Sequence, residues 1–254
     1  MKQYKGYLID LDGTLYRGDQ VIPGALEFVK RLDEEQIPYL FLTNNSTRSP
    51  EQVAEKLRRF GFPAEAEQVY TSSLACARYL EEKADVKSVY IVGEEGLYQA
   101  ITQAGFVVTD DHPDAVVVGL DRDFTYEKMK KAFLGIQAGA ELIGTNADRA
   151  LPTEEGFWPG SGSLAMGIAA AAGVEPRFIG KPEPVIMRYA LEKLGCQKDE
   201  VLVVGDNLQT DILAGVRGGM DTLLVYTGIT TPEMAKRSEI QATYAVDRLT
   251  SWMK

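Results

Sequence analysis

The chain has a single histidine, His112, in 254 residues. That scarcity removes much of the hydrolytic repertoire. A histidine-rich zinc centre cannot be built from one histidine. A Ser-His-Asp triad would have to use His112, which lies in the acidic loop Asp110-Asp111-His112-Pro113-Asp114 with no nucleophile signal beside it. Cysteine is almost as scarce. Cys76 and Cys196 are the two present, neither belongs to a C-x-x-C pair, and they read as small apolar residues. No disulfide framework follows, and a reducing, cytoplasmic setting is the expectation.

No apolar run approaches the ~20 residues that cross a bilayer. The longest, Leu164 to Val174, is short and rich in alanine and glycine. The opening Met1-Lys2-Gln3-Tyr4-Lys5 runs straight into an apolar strand, without the pattern of a signal peptide. Positive charge is the minority sign: 27 basic against 37 acidic residues, a net charge of −10. Binding to a nucleic-acid backbone needs clustered lysine and arginine, so neither nucleic acid nor membrane is the expected partner. A small anion is not excluded, because a local pocket can oppose the global field.

What is present is a regular alternation. Short apolar runs (Tyr7-Leu8-Ile9, Tyr39-Leu40-Phe41-Leu42, Val69-Tyr70, Val201 to Val204, Thr222 to Val225) are separated by amphipathic stretches such as Pro23 to Glu34. Runs of this kind predict a doubly wound, mainly parallel α/β sheet covered on both faces. The middle of the chain repeats the pattern with strands at 88–92, 115–118 and 142–143. Helices are expected there at 96–104, 126–138 and 164–172, the last ended by Gly173. The organisation expected is a core formed by 1–75 and 179–254, with a second α/β unit, 76–178, inserted into it.

Four strings carry chemistry. Asp10-Leu11-Asp12-Gly13-Thr14-Leu15 follows the first apolar run. Strand alternation would put Asp10 and Asp12 on one side, at the strand end where open α/β sheets place ligands. Two buried carboxylates need an opposing charge, and hard oxygen ligands suit Mg²⁺. Val201 to Val204 delivers Asp206 to another strand end, with Asn207 beside it and Asp211 in the next turn, which supplies the remaining acid for a metal site. Thr43-Asn44-Asn45-Ser46 places a hydroxyl, amides and backbone N–H groups ahead of a helix start at Ser49-Pro50, an arrangement suited to phosphate. Lys181, between Phe178-Ile179-Gly180 and Pro182, reads as a fixed lysine.

Gly160-Ser161-Gly162-Ser163-Leu164-Ala165 fits a dinucleotide-binding pattern and opens a helix. That reading needs a strand directly before it and an acid ending the next strand, and neither is expected here. A glycine turn capped by Ser161 or Ser163 is the reading preferred. Trp158 is expected in the core of the second unit and Trp252 against the last helix.

The four strings in this order resemble the haloacid dehalogenase superfamily of aspartate-nucleophile phosphatases. The insert, with Thr145-Asn146-Ala147-Asp148 and Pro159 to Ser163, resembles the NagD-like, p-nitrophenylphosphatase-type branch, and bacterial acid-sugar phosphatases above all. The resemblance implies a two-step hydrolysis in which Asp10 takes the phosphoryl group and Asp12 acts as acid, then base. It implies Mg²⁺ held by Asp10, Asp206 and the Asp12 carbonyl, with Asp211 and Asn207 behind them. It implies phosphoryl oxygens held by Thr43, Asn44 and Lys181. The expected substrate is a small phosphomonoester, a sugar or acid-sugar phosphate, with p-nitrophenyl phosphate as an artificial one. Asn146, Asp148 and Arg149, in a long loop from Thr145 to Ser163, are the candidates for the leaving group. A nucleotide or phosphoglycolate phosphatase, a phosphotransferase or mutase, and a non-enzymatic phosphate sensor are the alternatives; a homodimer stays open.

Overall fold

The computed structural model describes residues 2–153 and 155–252. The chain divides into two compact units. One comprises residues 1–43, 50–70 and 181–254, the other 44–49 and 71–180. The second unit thus opens at Thr71 and closes at Gly180 and takes in a short stretch near Asn44, where the sequence suggested boundaries at 76 and 178. Side chains at the helix start explain the company of that stretch. Ser72 Oγ donates to the Asn44 carbonyl at 2.7 Å and Ser73 Oγ to the Ser46 carbonyl at 3.1 Å.

The first unit is built on a six-stranded sheet. Its spatial order is Tyr244–Val246, Asp221–Val225, Val201–Gly205, Gly6–Ile9, Tyr39–Thr43, Val69–Thr71. The Gly6–Ile9 strand pairs in parallel with both its neighbours, Ile9 standing beside Val204 on one side and Phe41 on the other. All three of these strands are buried along their whole length, as a sheet with helices on both faces requires. Ala25–Glu34 shows how one face is covered. Its buried residues Ala25, Phe28, Val29 and Leu32 recur at helical spacing, and they join the cluster containing Ile9, Phe41 and Val204. Trp252 packs on this cluster and stacks near Tyr244, with ring centroids 4.9 Å apart. In chain order the sheet runs outward from Gly6–Ile9 in one direction, then restarts beside it with Val201–Gly205. The winding reverses between these two strands, and open α/β sheets bind ligands at the carboxyl ends of such a pair.

The second unit has its own five-stranded parallel sheet, in the order Arg177–Phe178, Glu141–Gly144, Ala115–Val118, Ser88–Val92, Val107–Val108. Helices Tyr126–Gln137 and Ser161–Ala172 contribute Ala132, Ile136, Ala165 and Ile168 to its core. Four sequence expectations fail here. The long loop is instead a β-hairpin, Ala150–Thr153 with Gly156–Pro159, followed by a helix from Ser161. That helix is entered through Gly160 without a side-chain cap. Ser161 Oγ instead donates to Asn146 Oδ1 and Ser163 Oγ to the Arg149 carbonyl. Trp158 is 42% exposed on the hairpin rather than in the core. A strand does precede the glycine string, but it belongs to this antiparallel hairpin and not to a parallel β-α-β unit. Among the described residues, no helix is long and apolar enough to cross a membrane.

Candidate active site

The Gly6–Ile9 strand ends one residue before Asp10, the Val201–Gly205 strand one residue before Asp206, and the Tyr39–Thr43 strand on Thr43. Parallel pairing brings all three residues to one edge of the sheet, and the Asp10 N–H donates to the Val204 carbonyl at 2.9 Å. Asp211 reaches the same place from a π-helical turn, Leu208–Ile212, of the kind that often marks functional positions. Carboxylate oxygens of Asp10, Asp206 and Asp211 lie within 4.8 Å of one another.

Lys181 is buried among them. Its Nζ stands 2.6 Å from Asp10 Oδ1, 2.7 Å from Asp211 Oδ1 and 2.9 Å from the Leu42 carbonyl. Burial alone would push this ammonium down in pKa, but Asp10 and Asp211 more than offset it, and it stays above the ordinary lysine value. The acids move the other way. Burial, then repulsion from Asp211, raises the Asp10 carboxyl well above the usual range despite Lys181. Asp206 is pushed up to about 6 by burial and by Asp211. Three carboxylates face one ammonium, so the fully ionised site carries an excess of negative charge. An all-oxygen, buried, anionic donor set of this kind fits a hard divalent cation.

Further donors hold the carboxylates in place. Thr14 Oγ1 lies 3.2 Å from Asp10 Oδ2 and 3.3 Å from Asp206 Oδ1. The Ile229 N–H donates to Asp206 Oδ2 at 2.6 Å. Asp211 Oδ2 accepts the Asn207 N–H at 3.1 Å, so both oxygens of Asp211 are engaged by the protein. Gly13 has φ +90°, and a Cβ there would stand 2.6 Å from Asp206 Oδ2. A side chain at that position would both strain the turn and displace the acid.

The sequence candidates are not all in this cluster. Asp12 does not alternate with Asp10 along a strand. Asp10 and Asp12 lie in the turn that follows it, where the Leu11 carbonyl accepts the N–H of Thr14, Leu15 and Tyr16. Asp12 is exposed, and its Oδ2 accepts from Tyr16 Oη at 3.5 Å. Asn207 caps the turn, its Oδ1 accepting the Gln209 N–H. Asn44 belongs to the second unit, where its Nδ2 donates to Asp148 Oδ2 at 3.1 Å. Asn146 is buried. Its Nδ2 donates to the Asn44 carbonyl, and its Oδ1 accepts from Ser161 Oγ and the Asp148 N–H. Arg149 is exposed. His112 is exposed too and meets Asp111 at 2.7 Å. Sequence reasoning passed over Thr14, although it lies inside the Asp10 string. It also passed over the Ile229 amide, a backbone donor under an exposed apolar side chain that carries no residue-type signal.

Residues 7–107 match the model of the haloacid dehalogenase-like hydrolases, and residues 178–252 match a second model described as HAD-hydrolase-like. The chain is 51% identical to the 5'-nucleotidase YutF of Bacillus subtilis (strain 168) over 253 residues, covering 100% of this chain and 99% of the relative. It is 50% identical to the acid sugar phosphatase of Staphylococcus aureus (strain MRSA252) over 246 residues, 96% and 95% of the two chains. A thermostable p-nitrophenylphosphatase from Bacillus stearothermophilus, solved as a point mutant, superposes with a TM-score of 0.90 at 52% identity, with 99% of each chain covered. With an acid-rich strand-end site of this form and relatives matched over nearly their whole length, the chain belongs to the haloacid dehalogenase-like hydrolases, among the phosphatases of that family.

Proposed function

We propose that the protein is a Mg²⁺-dependent phosphomonoester hydrolase that works through an aspartyl-phosphate on Asp10. The observation that carries this reading is the Asp10 carboxylate, held by Lys181 at 2.6 Å within a three-carboxylate cluster at the point where the sheet reverses. Mg²⁺ would be held by Asp10, Asp206 and the Asp12 carbonyl, and when bound would neutralise charge on the phosphoryl group. Asp211 would orient that ion's surroundings indirectly, in keeping with both its oxygens being engaged by protein donors.

The steps on the protein's own residues follow. An Asp10 oxygen attacks phosphorus, the Asp10–phosphorus bond forms, and the bond to the leaving oxygen breaks. Asp12 gives that oxygen its proton. Water then attacks the aspartyl-phosphate, Asp12 takes the water's proton, and inorganic phosphate and free Asp10 are released. Lys181 keeps a positive charge beside Asp10 throughout. With Thr43 and the Asn44 backbone it holds the phosphoryl oxygens, electrostatic stabilisation being the main contribution a protein makes to this reaction.

Leaving-group selection is assigned to the second α/β unit, as a cap. The substrate proposed is a small sugar or acid-sugar phosphate of the cytoplasm. The Staphylococcus relative supports that choice by its name, and the Bacillus relative directs attention to nucleoside monophosphates as the competitor. The test is kcat/KM with Mg²⁺ on a panel of sugar phosphates, acid-sugar phosphates, nucleoside monophosphates and p-nitrophenyl phosphate. The expected order places a sugar or acid-sugar phosphate first. A clear preference for nucleotides overturns the substrate choice, and a lack of turnover on every monoester overturns the hydrolase reading.

A further inference from the structure

The segment Thr227-Gly228-Ile229-Thr230 follows the Asp221–Val225 strand and belongs to none of the four strings read from the sequence. It is wrapped around Asp206. The Ile229 N–H donates to Asp206 Oδ2 at 2.6 Å, and the Thr230 N–H donates to the Asp206 carbonyl at 3.2 Å. Thr230 Oγ1 accepts the N–H of Leu208 at 3.1 Å, two residues beyond Asp206. At the other end, Thr227 Oγ1 donates to the Gly13 carbonyl at 2.7 Å, and Arg17 donates to the Thr227 carbonyl. One short loop therefore grips the acid at the end of one strand and the turn that carries Asp10 and Asp12.

Gly228 makes this grip possible. A Cβ on Gly228 would stand 1.8 Å from Asp206 Oδ2. Its φ lies outside the left-handed region, so the backbone itself does not demand glycine. What excludes a side chain there is the Asp206 carboxylate. Groups that orient a metal ligand typically change affinity 10–100-fold when removed, because they fix the direction of the donor oxygen.

We propose that Thr227 to Thr230 is a positioning loop that sets the orientation of Asp206 toward a divalent cation and ties it to the Asp10 turn. This rests on the reading of Asp206 as a metal ligand. Gly228→Ala tests it most directly, because the three heavy atoms nearest the new methyl all belong to the Asp206 side chain it is meant to displace. Thr227→Val removes the hydroxyl that reaches the Gly13 carbonyl, and Thr227→Ser restores it.

The measurement is direct Mn²⁺ binding by electron paramagnetic resonance on the full chain, with near-UV circular dichroism as the check of folding. Wild type, Asp206→Asn and the three variants are titrated together. The expected result is a Kd raised about 10–100-fold in Gly228→Ala with an unchanged dichroism spectrum. A smaller loss in Thr227→Val, recovered in Thr227→Ser, is expected beside it. If Gly228→Ala does not fold, the Thr227 pair decides. Loss of the ion in Asp206→Asn, with affinity kept within about threefold in the folded loop variants, overturns this proposal alone. A wild type that binds no Mn²⁺ overturns the metal reading and this proposal with it.

Discussion

Lys181 Nζ lies 2.6 Å from Asp10 Oδ1, and both groups are held away from bulk water. The second carboxylate on the same ammonium, Asp211 Oδ1, is 2.7 Å away. The lysine thus bridges two carboxylates of the acid cluster, and its charge bears on the folded state as well as on the chemistry proposed for Asp10. Lys181→Ala leaves Asp10 and Asp211 buried without their counter-charge. Breaking a buried pair in this way costs about 3–5 kcal/mol. A clear drop in the melting temperature of chelator-treated protein is expected, together with a loss of kcat. Mg²⁺ should restore part of the stability but not the rate. An unchanged melting temperature in chelator would show that the lysine contributes nothing to the fold.

Asp10→Asn should remove turnover, to below about 1% of the wild-type rate, because an amide is a poor nucleophile and loss of a nucleophile costs several orders of magnitude. Stability should not follow activity. Asp10 is raised well above the usual carboxylate range, chiefly by burial and then by Asp211, so a neutral side chain of the same shape relieves part of the repulsion. Single-turnover assays with acid quench supply a second readout. The wild type should trap a phosphorylated chain and the variant none.

The pH dependence of the metal-free protein has a definite sign. Asp206 is pushed up to about 6 in the folded chain, from an ordinary value near 3.8, first by burial and then by Asp211. Between these values the folded state binds more protons than the unfolded one, so this group lowers stability as pH rises from 4 to 7. That displacement corresponds to about 3 kcal/mol. Asp206→Asn does not titrate, so its melting temperature should rise relative to wild type across that interval in chelator. A difference independent of pH would falsify the assignment. Saturating Mg²⁺ should reverse the ranking, since only the wild type keeps the full ligand set.

The legible parts of the molecule were those whose signal lies in side-chain type. The strands Gly6–Ile9, Tyr39–Thr43 and Val201–Gly205 are buried on both faces, so their residues had to be apolar throughout and stood out as runs. Asp10, Asp206 and Lys181 were conspicuous because charged residues directly abut those or similar apolar segments. The hairpin of residues 150–159 was illegible for the opposite reason. Phe157 and Trp158 are solvent-exposed, so the segment shows no buried apolar run, and its glycines and prolines predict a loop with Trp158 in the core. The Ile229 amide was invisible because any residue but proline can supply it. Alternation predicts a strand position for Asp12, whereas the strand stops at Ile9 and the turn around the Leu11 carbonyl sets its position instead.

Metal choice follows from carboxylate geometry. Mg²⁺ demands near-octahedral coordination and is bound by few carboxylate oxygens, while Ca²⁺ accepts more ligands and bidentate carboxylates. A bidentate hold on Asp10 would occupy both oxygens and leave none to attack. Activity should therefore vanish in excess chelator, return with Mg²⁺, and fall when Ca²⁺ is added at constant Mg²⁺. Equal rates with either ion would refute the geometric argument while leaving the metal requirement intact.

Asn146 and Arg149 should separate bracing from recognition. The Asn146 amide has its nitrogen on the Asn44 carbonyl at 2.8 Å and its oxygen on Ser161 Oγ at 2.8 Å and the Asp148 N–H at 3.0 Å. Nothing in that set is directed at a substrate hydroxyl. Removing the amide takes one of two donors from the Asn44 carbonyl, which keeps Ser72 Oγ, and takes the side-chain acceptor from Ser161 Oγ and the Asp148 N–H, each hydrogen bond worth about 0.5–1.5 kcal/mol. Asn146→Ala should thus lower thermal stability and reduce kcat/KM by a similar factor for acidic and neutral sugar phosphates. Arg149 differs. Its backbone carbonyl accepts from Gly160 N–H and Ser163 Oγ, while its side chain is exposed and suited to a carboxylate. Arg149→Ala keeps the backbone contacts, so stability should hold. Its kcat/KM should fall about tenfold for an acid-sugar phosphate, the loss expected for one charge-assisted contact, and stay unchanged for the neutral analogue. An equal fall on both substrates would make Arg149 a brace like Asn146, and the acid-sugar preference would then need another residue.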